Sequence, residues 1–327
     1  MRLRILILLV MIGFSPIKSF AVTCTISSTP NVSFSAVSPL TYGDILAEVP
    51  FSFTCTKSAG DLLNATTLCF NIYATGSSTI TSRKMTATTG NAVGSGTLNY
   101  QLYRDAARTI PWGNQDASGS SFPVFRTTAL NLGPYTNNLT IYAKIPKGQN
   151  TTPPGIYKDI YSTITASITA NMDLLLPISN CGTTSAGSFA FEVSATVNKQ
   201  CNVSTAANVD FGSVPSTQTN MVKNTSFTTT CTSGTPYTLG LSPSNNSSTG
   251  AGAMKSQKVP ITNTEQVPYQ LNSTPGINGT PWGTLNGYTL ADTGNGSSKP
   301  STVYIVTPSA NYPPDTYADT VTINVTY

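Results

Sequence analysis

Chemistry on a protein needs groups that exchange protons, attack carbonyls or hold metals, and this chain is poor in them. It has 327 residues and no histidine, which excludes Ser-His-Asp and Cys-His catalysis and every histidine metal site. Its 13 acidic and 17 basic side chains make up only 9% of the residues, against roughly 25% in ordinary domains. The six cysteines are Cys24, Cys55, Cys69, Cys181, Cys201 and Cys231, with no Cys-x-x-Cys pair among them, so a cysteine-only metal site is not indicated. Tyr103-Arg104-Asp105 and the two residues Asp159 and Asp319 look chemical. Asp159 and Asp319 hold the same place in the two halves of the chain, which favours turn and strand stabilisation over catalysis. No catalytic residue, metal or cofactor is assigned, and the chain does not read as an enzyme.

The N-terminus says where such cysteines would be oxidised. Arg2 and Arg4 precede an apolar run at residues 5–14, and Ser19-Phe20-Ala21 offers small residues at the minus-three and minus-one positions of a cleavage site. Residues 1–21 therefore read as a secretory signal peptide, and the mature chain is expected to begin near Val22. Export favours three disulfides. Cys24 and Cys55 are spaced much like Cys201 and Cys231, which predicts one equivalent bridge per half and leaves Cys69 for Cys181. A bridge closing roughly 30 residues contributes about 3 to 4 kcal/mol by restricting the unfolded chain. Without Arg2, Arg4 and Lys18 the balance is 14 basic to 13 acidic residues, too even to attract nucleic acid or anionic lipid.

The halves repeat beyond their cysteines. Residues 51–56 resemble residues 227–232, and Tyr100-Gln101-Leu102 recurs as Tyr269-Gln270-Leu271. Pro111-Trp112-Gly113 returns as Pro281-Trp282-Gly283, giving each half one of the two tryptophans, and Pro153-Pro154, Tyr157 and Asp159 return as Pro313-Pro314, Tyr317 and Asp319. One fold is used twice. Residues 139–145, 157–168, 302–306 and 320–327 are rich in Thr, Ile, Val and Tyr with period-two character between Gly, Pro and Asn punctuation, so they read as strands. The fold class expected is all-β, two immunoglobulin-like antiparallel β-sandwich domains, with the tryptophans and tyrosines in their cores.

At these residues the chain resembles the spore coat protein U family, whose members include subunits of archaic chaperone-usher pili. The second half carries the fuller pattern: Cys201-Asn202-Val203, Phe211-Gly212, residues 231–237, the Tyr269 and Trp282 motifs, and Tyr317-x-Asp319. In the first half residues 100–105, Arg108-Thr109 and Trp112 also fit, but the Cys55 motif is altered and extra sequence is inserted, which implies a specialised domain.

In such pili, the resemblance implies, each subunit lacks its last strand and borrows one from its neighbour's N-terminal extension. Here only Val22 and Thr23 would precede Cys24, too few to donate. Phe189, Phe191, Val193, Ala195 and Val197 alternate with small or polar residues as a donor strand would. Residues 187–197 are thus expected to close domain 22–198 in cis. Domain 199–327 has only eight residues after Asp319, so its final strand, presenting Val321, Ile323, Val325 and Tyr327, is expected to be left as an acceptor edge. The partners implied are a periplasmic chaperone, an outer-membrane usher and the adjacent pilin subunit.

A subunit that accepts without donating sits at the pilus tip, secreted through the periplasm to the cell surface. Strand parity then turns residues 60–65, 90–96, 130–138 and 170–181 outward. The surface-binding residues expected there are Leu62, Leu63, Ala92, Val93, Leu130, Leu132, Pro134, Tyr135, Leu174, Leu175 and Leu176, stapled by Cys69 and Cys181. Clustered apolar loops suit contact with abiotic or host surfaces, and so attachment and biofilm formation. A glycan-binding lectin and a non-adhesive fibre cap are the rival readings.

Overall fold

The computed structural model describes residues 21–40, 43–90, 92–117, 121–129, 131, 133–174, 176–260 and 262–327. The expected signal peptide, apart from Ala21, lies outside them. The alternating Thr, Val, Ile and Tyr runs become strands, and the one helical piece among the described residues is a 3-10 turn, Ala59–Asp61.

Among the described residues the first domain has twelve strands: β1 Val22–Ile26, β2 Val32–Val37, β3 Ile45–Lys57, β4 Asn64–Ile72, β5 Arg83–Ala87 and β6 Thr97–Tyr103. After them come β7 Val124–Thr127, β8 Tyr135–Ile145, β9 Gly155–Tyr161, β10 Ala166–Leu174, β11 Thr184–Ser188 and β12 Phe191–Val197. One sheet runs β1-β3-β8-β6-β5-β9-β12-β2, and a smaller one runs β11-β10-β4-β7. Between them lies a core built on Phe53, Phe70, Trp112, Tyr157 and Phe189. The smaller sheet is covered on its outer side as well, so every residue of β4 is buried. There Thr67 donates to the Ile178 carbonyl at 2.6 Å, Cys69 is bonded to Cys181 and the Asn71 side-chain Oδ1 accepts from the Gln115 backbone N–H at 3.0 Å. Residues 178–181, after β10, and Gln115, after Trp112, supply that cover.

The second domain has β13 Cys201–Val203, β14 Thr219–Cys231, β15 Pro236–Pro243, β16 Ala251–Ser256 and β17 Gln266–Asn272. It ends with β18 Leu290–Thr293, β19 Ser298–Ser309, β20 Tyr317–Ala318 and β21 Val321–Thr326. Its sheets are β13-β14-β19-β17-β16-β20 and β18-β15-β21. The repeated residues do the same work in both domains. Trp112 and Trp282 are fully buried, and each indole N–H donates at 2.9 Å to a carbonyl of the facing sheet, Phe70 or Leu239. Tyr100 and Tyr269 donate at 2.6 Å to Asp159 and Asp319. Tyr157 and Tyr317 donate to the carbonyls of Pro153 and Pro313. Disulfides join Cys24 to Cys55 and Cys201 to Cys231 at the same place in each sandwich.

One expected strand is two. Residues 157–168 split at a turn through Ser162 and Thr165, because the chain leaves the large sheet after β9 and enters the small one as β10. The equivalent passage in the second domain is from β20 to β21.

Candidate functional site

The two domains differ most where β9 and β10 meet their neighbours. In the first domain residues 184–197 complete both sheets in turn. β11 pairs antiparallel with β10, the chain crosses at Phe189, and β12 inserts between β9, antiparallel, and β2, parallel. The side chains of Phe189, Phe191, Val193, Ala195 and Val197 are all buried. Phe191 stacks on Tyr161 at 4.5 Å, and Phe51 stacks on Phe189 at 5.7 Å. Gly187 lies where a Cβ would meet the Cys24 carbonyl at 2.5 Å, with φ of +151°, so glycine is required at that crossing.

The second domain has no counterpart of β11 or β12 among the described residues. β20 and β21 are sheet edges. On the far side, Asn208-Val209-Asp210-Phe211 repeats Asn31-Val32-Ser33-Phe34 at the same distance from the leading cysteine. Val32 and Phe34 are buried beneath β12 and paired to it, whereas Val209 and Phe211 are half-buried in a stretch without strand. Val321, Ile323 and Val325 are likewise half-buried against the second core, and Tyr327 is exposed. By the repeat, residues 209–211 and β20 hold the places of β2 and β9, and no strand among the described residues lies between them. A shallow cleft at the end of β21 is lined by Pro236, Tyr237, Asp292, Thr326 and Tyr327. There Asp292 pairs with Lys299 at 2.9 Å, which holds its carboxyl below the ordinary range. The repeat of residues 31–34 was visible in the sequence, but only the pairing of β2 gives it meaning.

The first domain's far end carries the other candidate surface. Register fixes which loops share it: Val22 faces Lys57, Cys55 faces Tyr135, Thr66 faces Thr127 and Asn64 faces Leu174. Loops 58–63, 128–134 and 175–183 therefore leave by one end. Leu63, Leu174 and Leu176 are 62%, 68% and 75% exposed, Pro134 is exposed and Leu62 half-buried. Tyr135 differs from expectation: it sits on β8 with its ring against Phe53 and Phe125, so it is half core. Leu130, Leu132 and Leu175 lie outside the described residues.

Ala92 and Val93 are placed elsewhere. Thr86 faces Lys158 while Gly155 faces Val197, so the 90–96 turn leaves by the opposite end, where β12 hands the chain to the second domain. Gly90 packs on the Pro154 carbonyl and Ala92 against the core. Strand parity misplaces this turn because β5 and β6 form a hairpin that reverses at the lower end.

Sequence reasoning also missed the polar clamp under the far loops. The Lys57 ammonium donates to the Asn64 carbonyl at 2.5 Å and the Thr128 carbonyl at 3.3 Å, tying two loops together. Partial burial pushes its pKa down, opposed by the nearby Asp61. Among the described residues no group of three or more Cys, Asp or Glu side chains is arranged to hold a metal.

The Spore Coat Protein U domain model matches residues 16–165 and 188–324. Protein U of Myxococcus xanthus is 38% identical over 79 residues, and the chain spans 37% of that relative's length. Among solved structures, the CsuC–CsuE chaperone–tip adhesion subunit pre-assembly complex of Acinetobacter baumannii Csu pili matches over 93% of this chain and 100% of the compared chain, at 19% identity and a TM-score of 0.50. The CupB6 tip adhesin of Pseudomonas aeruginosa aligns over 93% of this chain and 95% of its own, at 9% identity and a TM-score of 0.36. With its two matched regions covering most of the sequence, the chain belongs to the Spore Coat Protein U domain family.

Proposed function

We propose that the chain is the tip adhesin of an archaic chaperone-usher pilus. Its second domain takes a strand first from a periplasmic chaperone and then, at an outer-membrane usher, from the next pilin. Its first domain contacts a surface through the apolar loops at its far end, and so serves attachment and biofilm formation. The observation that carries this reading is the internal comparison: one sandwich holds β11 and β12 from its own chain, while its twin has no equivalent strands among the described residues. An open apolar edge is an aggregation hazard that another chain must cover, and strand addition is the general way to cover it. The full-length match to a chain of the chaperone–tip subunit complex of Csu pili is in keeping with it.

The cis strand also describes its partner. Residues 187–197 place glycine beside the Cys24 carbonyl and then five alternating apolar side chains. Cys201 stands in the place of Cys24, so the fibre-forming strand should carry glycine beside the Cys201 carbonyl, followed by the same alternation. A synthetic peptide of residues 187–197 is expected to bind the intact protein and raise the thermal transition of the second domain. A peptide with Asp for both phenylalanines should do neither. A monomeric, well-folded protein indifferent to both peptides would overturn the assembly half of the reading.

A further inference from the structure

Asp61 is a buried carboxylate, 4% exposed, at the base of far loop 58–63. Its Oδ2 accepts from the Ala21 backbone N–H at 3.0 Å and from the Ser58 hydroxyl, and its Oδ1 accepts from Asn64 Nδ2 at 2.9 Å. All three donors are neutral. Among the described residues the ion pairs are Lys144–Asp44, Lys158–Glu192 and Lys299–Asp292, so none engages Asp61, and the nearby Lys57 ammonium is bonded to the carbonyls of Asn64 and Thr128. Lys57 thus acts on Asp61 only through space, and a buried carboxylate whose direct donors are all neutral is stabilised further by a cation in contact with it.

The backbone nitrogen that reaches Asp61 belongs to a residue beside the expected cleavage site. We propose that the cation in direct contact with Asp61 is the chain's own α-ammonium group, created when export processing cuts beside Ala21. Hydrolysis consumes one water, leaves a carboxylate on the departing leader and frees an amine that takes up a proton. A cut before Ala21 turns the N–H already at 3.0 Å into that ammonium. A cut after Ala21 places it on Val22, one Cα step of ~3.8 Å along the chain, with the space of Ala21 vacated. In either case Val22 pairs with Lys57 at the far end of the domain, so the new terminus arises among the loops that carry Leu63 and Leu174. Loop 58–63, whose Ser58 N–H also donates to the Ala21 carbonyl, acquires its final anchor only after export. The inference stands independently of the assembly reading.

The intact mass of the secreted protein identifies its first residue, and reductive methylation at neutral pH followed by peptide mapping measures the accessibility of its α-amine. If Asp61 holds the ammonium, the amine of the folded protein should react about tenfold more slowly than that of the unfolded chain, because the opposite charge favours its unreactive protonated form. Asp61→Asn should restore the fast rate. Should that variant not fold, a chain extended by two residues before the natural start keeps Asp61 and displaces the ammonium, and its loop 58–63 should be cut several-fold faster by protease. A first residue well removed from 21 and 22, an α-amine that reacts equally fast in folded and unfolded protein, or an extended chain as resistant as the wild type would overturn the proposal.

Discussion

At the residue scale, the first domain's core is held by a polar node that its twin lacks. Arg83 is fully buried, and its guanidinium donates to the carbonyls of Ile72, Tyr73 and Trp112 and to the Tyr161 hydroxyl. Tyr161 meets Tyr100 at 2.7 Å, and Tyr100 donates to Asp159. In the second domain Gly252 faces Tyr269 in the register where Arg83 faces Tyr100, and the Tyr269 ring fills the space, leaving only the Tyr269–Asp319 bond. Burial pushes Tyr161 up to about 12 and raises Tyr100 and Tyr269 strongly as well. Folded-state values above the unfolded one mean that the stabilisation is complete below about pH 10 and is lost as pH rises through the folded values. Denaturant unfolding across pH 9 to 12 is expected to show stability falling by about 1.4 kcal/mol per pH unit for each buried tyrosine once the unfolded chain ionises. A flat profile would place these hydroxyls in water.

At the element scale, the same β-sandwich edge is paired with a strand of its own chain in one domain and has no strand partner among the described residues in the other. Phe191 is buried on β12 with its ring on Tyr161, while Val325 is half-buried on β21. Phe191→Ala is therefore expected to destabilise the first domain by about 3 to 5 kcal/mol. Val325→Ala, removing atoms from a half-wet position, should cost the free second domain only ~1 kcal/mol. Separate melting transitions of the two domains measure both. In the presence of the complementing peptide the Val325→Ala deficit should grow, because the added strand completes the burial of that side chain.

At the scale of the whole molecule, edge strands β20 and β21 lie in one domain and exposed leucines crown the far end of the other. Leu63, Leu174 and Leu176 can be made Ser together, and because all three are mostly exposed the stability change should stay near ~0.5 kcal/mol per site. Adsorption of the purified protein to bare polystyrene is expected to fall several-fold, and free sugars should leave it unchanged. Inhibition by sugars would favour the lectin reading, and undiminished attachment by pili carrying the triple variant would favour a non-adhesive cap. A substitution at the lower turn serves as the control: Val93→Ser should leave adsorption intact, since the 90–96 turn leaves by the end opposite the exposed leucines.

The sequence by itself determined the duplicated fold, because paired features such as Trp112 and Trp282, or Tyr100 with Asp159 and Tyr269 with Asp319, are tied to fixed places in a sandwich by hydrogen bonds their burial makes obligatory. Alternation at Phe189 to Val197 likewise marked a strand with one buried face. What only the tertiary structure decided was direction and company. Loops 58–63 and 90–96 read alike as Gly-containing turns, and strand register alone sent them to opposite ends. Asp61 and Arg83 carry no local pattern at all, since the partners of a buried charge come from segments distant in the chain and become neighbours only when the sheets close.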